Sequence, residues 1–257
     1  MSTILVTGGT GTLGRALVPR LAAPGRQIRV LSRRPRPSSA EPDAWATGDL
    51  RRNQGIEEAV AGASVIVHCA TAARGDDAAA RNLIGAARRA GAPHLVYISI
   101  VGVDRVPFSY YRTKLRTERL VSESGLPWTV LRTTQFHDLI LLACTALARL
   151  PVMLVPARTS FQPLDAGEVA ERLAQLAVAP AAGRVPDMAG PQVRATTDLA
   201  RTYLRASGRR RPVRPVWLPG AAAAGFRRGG HLAPDNAVGR VTFEDFLAGR
   251  VSAASPR

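Results

Sequence analysis

Tyr110 and Lys114 stand four residues apart in the stretch SYYRTKLRTE, and Lys114 is the one lysine in a chain whose other 34 basic side chains are arginine. On a helix, residues i and i+4 share a face, so the phenol and the ammonium point the same way. A neighbouring ammonium favours phenolate, which predicts a lowered tyrosine pKa and an acid/base usable near neutral pH. Lysine is a compact point charge that can approach a phenol or a ribose hydroxyl, where the planar guanidinium fork fits badly. Ser99 lies near the C-terminal end of the apolar run HLVYISI, a position from which a hydroxyl can orient a carbonyl oxygen. Tyr110, Lys114 and Ser99 are therefore the candidate catalytic residues, for proton transfer at a carbonyl.

A second cluster binds rather than reacts. VTGGTGTLG places Gly8, Gly9, Gly11 and Gly14 among Thr7, Thr10, Thr12 and Leu13, between a β-branched run and an amphipathic one. The glycines satisfy both GxGxxG and TGxxGxxG spacing. Such a turn permits close backbone approach to a pyrophosphate, and the following helix offers amides and a positive dipole. At the end of the second predicted strand the chain reads VLSRRPR, with Ser32, Arg33 and Arg34 and no acid before Glu41. A carboxylate there would suit the ribose of NAD(H), whereas arginine suits a 2′-phosphate. The reading is NADP(H) preferred, with NAD(H) as the alternative. GDL, residues 48 to 50, offers Asp49 and Leu50 to the adenine, or a plain turn aspartate.

These residues need elements to hold them. TILVTGG, QIRVLSRR, DAWATGDL, SVIVHCA, HLVYISI and PWTVLRT read as six strands, and the segments between them carry helical spacing. Strands that alternate with helices and are apolar on both faces predict a Rossmann-type α/β fold, a doubly wound parallel sheet with right-handed crossovers. From about residue 134 the alternation becomes irregular: FHDLILLACTALARL is an apolar helix, a helix starts near Asp165, TTDLARTYLRAS is another, and RPVRPVWLPG is a late strand. The expected organisation is an NAD(P)-binding core over 1–155 and a small C-terminal substrate lobe over 156–257, packed as one structural unit.

The combination TGGTGTLG, GDL, HCA, NLIGAARRAGAPHLVYISIVG and YYRTK leading into ERLVSESGLPWTVLRTTQF resembles the extended and atypical short-chain dehydrogenase/reductase superfamily, in its NmrA-like NAD(P)H-binding branch. The resemblance covers most of residues 3–178. It implies that Tyr110 and Lys114 are the YxxxK pair, that Ser99 is the serine after the fifth strand, that Lys114 also holds the ribose, and that Cys69, Ala70 and Thr71 line the dinucleotide. Ile100 departs from the pattern, standing where many members have a second serine. The activity implied is NADP(H)-dependent reduction of a small apolar carbonyl or quinone. Members of the branch that bind the dinucleotide without redox chemistry make a non-catalytic sensor the alternative reading, and a nucleotide-sugar epimerase or dehydratase is a third. The apolar helix Leu139–Ala148, with Met153, Phe161 and Trp217, suggests a substrate pocket of low charge or simply core.

Composition narrows the field. At 257 residues the chain needs no staples, and Cys69 and Cys144 lack metal-ligand spacing and suit reduced cytoplasmic thiols. His68 and His137 read as packing histidines, Asn82 as a residue facing the site or solvent, and Tyr111 as better exposed than Tyr110. The formal charge of +16 is spread along the chain, and its densest patch, Arg205 to Arg214, has no interleaved aromatics. Nucleic acid is therefore not an expected partner. The longest apolar run, ten residues, falls short of a membrane span, and no targeting segment is expected ahead of the first strand. The expectation is a cytoplasmic protein acting on a small molecule, with the oligomeric state left open and a homodimer as one option.

Overall fold

The computed structural model describes residues 2–37, 44–71 and 75–254. Glu41, and the Asp43 that opened the third expected strand, lie outside the described residues. The chain divides into two compact units. The first holds residues up to Ser99, Ser109–Arg132 and Val169–Pro186; the second holds Ile100–Phe108, Thr133–Glu168 and the residues from Asp187 on. The two units interleave along the chain, which crosses between them several times.

The first unit is built on β1 (Ser2–Thr7), β2 (Arg26–Ser32), β3 (Trp45–Thr47), β4 (Ala63–His68), β5 (His94–Ile100) and β6 (Trp128–Thr133), joined by α1 (Thr12–Leu21), α2 (Ile56–Val60), α3 (Asp76–Arg89) and α4 (Ser109–Ser122). The sheet order is β3-β2-β1-β4-β5-β6, extended by β9 (Gly183–Arg184). This is the doubly wound arrangement in which ligands bind beyond the carboxyl ends of the strands, where the order reverses at β1 and β4. β1 pairs in parallel with both neighbours, bringing Thr7 level with Leu31 and with His68. Ile4, Leu5, Val6, Ile66 and Val67 are essentially inaccessible, as strands covered on both faces must be.

In the second unit, α5 (His137–Leu147), α7 (Thr196–Ala206) and α9 (Phe243–Ala254) pack with a parallel ribbon of β7 (Met153–Pro156) and β11 (Val213–Val216). Ile140, Cys144, Met153, Leu199, Tyr203 and Phe243 form this core. The unit also contains a two-residue antiparallel pair, β8 (Ser160–Phe161) with β10 (Arg194–Ala195), and α8 (Ala221–Arg227). α6 (Ala166–Val178) starts where Asp165 caps it, Oδ1 accepting the amides of Gly167 and Glu168 at 2.8 and 3.2 Å. His137 is a packing histidine: it hydrogen-bonds the Val241 carbonyl at 3.0 Å and stacks on Phe246.

The suggested low-charge pocket is corrected here. Met153 is wholly buried in the core, and Trp217 is 60% exposed with the Arg227 guanidinium 3.8 Å over its ring. Leu139 and Leu142, also read as pocket wall, are among the most exposed apolar side chains.

The buried histidines make stability depend on pH. Burial, with the Lys114 charge, pulls His68 down to about 3, and burial, against the Ser160 carbonyl, pulls His231 down to about 4. Both are neutral in the folded protein, while the unfolded chain takes up a proton below about 6.5. Stability is therefore full above 6.5 and lost as pH falls toward 4 and 3. Each histidine is expected to cost about 2 kcal/mol on going from pH 7 to pH 5. Urea midpoints at the two pH values check this, and an unchanged midpoint contradicts it.

Candidate active site

The turn between β1 and α1 has the shape its glycines require. Gly8 sits at φ +71°, and a Cβ there would lie 2.6 Å from the Ala70 amide nitrogen. A Cβ on Gly14 would lie 2.2 Å from the Gly8 carbonyl oxygen, so this glycine lets α1 pack directly on the turn. Gly11 differs. A Cβ there meets only that carbonyl oxygen, at 3.3 Å, leaving its outer side open. Gly11 is the N-cap of α1, with no side-chain hydrogen bond capping the helix and no acid in its first turn. An uncapped helix N-terminus over an open glycine fits the pyrophosphate of a dinucleotide, which the turn Gly8–Gly14 would hold.

At the end of β2, Ser32 Oγ accepts the Arg34 amide at 3.1 Å, and Arg33 and Arg34 are exposed. That position suits capture of a 2′-phosphate. Arg33→Ala is expected to weaken NADPH binding about tenfold or more while leaving NADH binding alone, the loss of a charge-assisted contact. Calorimetry with both nucleotides reads the ratio, and an unchanged ratio removes Arg33 from cofactor choice. Asp49 Oδ1 accepts the amides of Arg51 and Arg52 at 2.8 and 3.3 Å, so this oxygen closes its own turn. Leu50 belongs to the core, and Asn82, read as facing either the site or solvent, donates to its carbonyl at 2.7 Å.

Thr7 and His68 lock the ends of β1 and β4 together through a 2.7 Å contact between Thr7 Oγ1 and His68 Nδ1, and Thr7 Oγ1 also accepts the Ala70 amide. The half-buried Cys69 thiol is pushed up to about 12 by burial, which keeps it protonated.

α4 carries Tyr110 and Lys114, and its environment corrects two expectations. Tyr111 is the buried tyrosine, and Tyr110 is the partly exposed one. The Tyr110 pKa is raised, not lowered: burial acts first and the Asp76 carboxylate adds to it, while a hydrogen bond donated by Thr71, which would oppose both, is ruled out because Thr71 gives its proton to Asp76 Oδ2 at 2.7 Å. The Lys114 ammonium is instead sunk into the unit. It is 3% exposed, donates to the Ile98 carbonyl at 3.3 Å and lies 4.9 Å from the centre of the Tyr97 ring. Burial lowers its pKa against the opposing pull of the Asp76 and Glu118 carboxylates. Glu118 is itself held by both ends of the Arg132 guanidinium, at 2.8 and 2.6 Å.

Tyr110 and Thr71 come together: the phenolic oxygen is 2.7 Å from Thr71 Oγ1, which donates to Asp76 Oδ2 at 2.7 Å. Ser99, on β5, is buried, and its Oγ has no hydrogen-bond partner among the described residues. Asp76 carries only a weak signal in the sequence, an acidic pair opening α3, where acids commonly balance a helix dipole.

The chain belongs to the NAD(P)H-binding family, whose profile matches residues 8–139. It is 26% identical over 216 residues to quinone oxidoreductase 2 of Escherichia coli (strain K12), covering 80% of this chain and 75% of that protein. Its fold is similar to the crystal structure of an NADPH-dependent quinone oxidoreductase from Escherichia coli in complex with NADPH, with a TM-score of 0.83, 21% identity, and 96% and 99% of the two chains covered. It is also 33% identical over 135 residues to an uncharacterised protein of Mycobacterium tuberculosis (strain ATCC 25618 / H37Rv), covering half of this chain and 14% of that one. The chain thus matches only a small part of that longer relative. Among the described residues, no group of histidines, cysteines and acids could hold a metal, and no helix is long and apolar enough to cross a membrane.

Proposed function

We propose that this protein is an NADPH-dependent reductase of small apolar carbonyls or quinones. The observation that carries the reading is Tyr110: a partly exposed phenol on α4, hydrogen-bonded through Thr71 to a carboxylate and holding its proton through neutral pH. A phenol that keeps its proton is suited to give it, which favours reduction over oxidation. NADPH, when bound, supplies the hydride. Tyr110 supplies the proton to the substrate oxygen, so that one hydride and one proton convert a ketone to an alcohol or a quinone to a hydroquinone. Ser99 Oγ, buried and without a hydrogen-bond partner among the described residues, is the free donor on β5 that a shift of its cover would turn toward the oxygen. Lys114 provides positive charge beneath the site and the ribose contact. The similarity to a quinone oxidoreductase supports the substrate class.

The test is incubation of the purified protein with NADPH and a panel of small quinones and ketones, followed at the nicotinamide absorbance. Consumption with at least one of them is expected. Tight NADPH binding with no consumption across the panel would replace the enzyme by a dinucleotide sensor.

A further inference from the structure

Two short hydrogen bonds in series join Tyr110 to a group with no place in the YxxxK pattern. Thr71 Oγ1 donates its one proton to Asp76 Oδ2 at 2.7 Å, so at the 2.7 Å contact with Tyr110 the threonine oxygen is the acceptor and the phenol is the donor. Asp76 is 5% exposed and is the first residue of α3, while Thr71 follows the end of β4. A chain of two hydrogen bonds thus links α4, the end of β4 and α3 through the Thr71 hydroxyl.

We infer that Asp76, acting through Thr71, is a positioning residue that fixes the direction of the Tyr110 hydroxyl and keeps it protonated for reduction. The inference rests on the reading of Tyr110 as the proton donor. A threonine alone could turn its hydroxyl toward the phenol and stabilise phenolate. With its proton committed to the carboxylate, it can only accept, and phenolate would then face a lone pair with an anion behind it. The arrangement disfavours loss of the phenolic proton to water and leaves it to a substrate oxygen that displaces the threonine contact. Among the described residues, the charged and titratable groups around it are Asp76 and Asp77 on α3, Lys114, Arg116 and Glu118 on α4, Tyr97 on β5, His68 and Cys69 at the end of β4, and Arg51, whose Nε lies 2.8 Å from where a Cβ on Gly75 would sit. Arg116 and Asp77 face each other at 3.8 Å, and Lys114 is buried against Ile98 and Tyr97. Neither cation reaches the Tyr110 hydroxyl by a hydrogen bond among the described residues, whereas Asp76 acts on it through a continuous pair of them.

The test uses Asp76→Asn, whose amide oxygen can still accept from Thr71 but carries no charge. Because the chain has four tyrosines, ring-labelled tyrosine gives four nuclear magnetic resonance signals, and Tyr110→Phe identifies one of them. The Tyr110 titration midpoint is expected to fall by about one pH unit in Asp76→Asn. Thr71→Val should lose the directed contact, and Thr71→Ser should restore it. An unchanged midpoint in a folded Asp76→Asn protein overturns the inference. If Asp76→Asn does not fold, Thr71→Val decides: an unchanged Tyr110 signal and midpoint there overturns it equally. This readout needs no turnover, so absence of NADPH consumption by the wild type would defeat the reductase reading separately. Where turnover is present, the high-pH limb of its profile should move down with the titration midpoint, a change that a merely structural aspartate would not cause.

Discussion

Alanine in place of Gly11 is expected to leave a folded protein that no longer holds NADPH. Gly11 has an ordinary extended conformation, φ −80° and ψ 178°, and a Cβ there meets one atom of the protein, the Gly8 carbonyl oxygen at 3.3 Å. The fold can absorb a methyl group at that spot. A pyrophosphate lying over the α1 N-terminus cannot, because close backbone approach is what the glycine permits. NADPH affinity should fall about a hundredfold or more, while the melting temperature changes by a few degrees at most. Gly14→Ala is the contrast. Its Cβ would meet the Gly8 oxygen at 2.2 Å and the Gly9 Cα at 2.4 Å, both backbone atoms, so this variant should lose stability along with binding. Unchanged NADPH affinity in folded Gly11→Ala places the dinucleotide somewhere else.

Lys114→Met is expected to keep or raise the melting temperature and to reduce turnover about a hundredfold. The ammonium is 3% exposed, and burial is the leading influence on its pKa, outweighing the carboxylates that favour the charge. A charge in that state costs stability, and methionine fills the same unbranched space without it. Residues that cost stability are commonly retained for function. This is also the answer to why an arginine-rich chain keeps one lysine: a buried slot beside Tyr97 and the Ile98 carbonyl admits a slim ammonium, while a guanidinium would bring five donors to a place with few acceptors. A Lys114→Met protein that melts markedly lower but turns over normally would make the lysine structural.

The parts of this molecule that were legible in its sequence are those specified locally. TILVTGG, QIRVLSRR, SVIVHCA, HLVYISI and PWTVLRT are apolar runs long enough to announce strands, and the glycines at 8, 11 and 14 announce the turn between the first strand and helix. The second unit was harder to read because its strands are two to four residues long and β7 and β11 contain proline, so no alternation builds up. The interleaving of the two units is a matter of long-range contacts, which no local pattern records. At the site, YxxxK spacing identified the pair but not its burial. Tyr110 and Tyr111 are neighbours separated by about 100° around a helix, and only the packing of α4 decides which of them is covered. The pKa expectation failed for the same reason: spacing puts Lys114 on the correct face, but packing draws its ammonium toward β5 and gives Tyr110 a threonine and a carboxylate. Asp76 and Thr71 lie on other elements and meet Tyr110 only in the folded chain.

The central claim, that the Tyr110 hydroxyl gives the proton in a reduction by NADPH, is tested most directly by Tyr110→Phe, with kcat and the NADPH dissociation constant measured on one preparation. The phenol contributes in the transition state and little to cofactor binding, so kcat should fall about 10²- to 10⁴-fold with the dissociation constant unchanged. In the wild type, the raised pKa predicts a rate that is level from pH 6 to pH 9 and declines only where the phenol ionises. A Tyr110→Phe protein that binds NADPH and reduces its substrate at the wild-type rate would contradict the account.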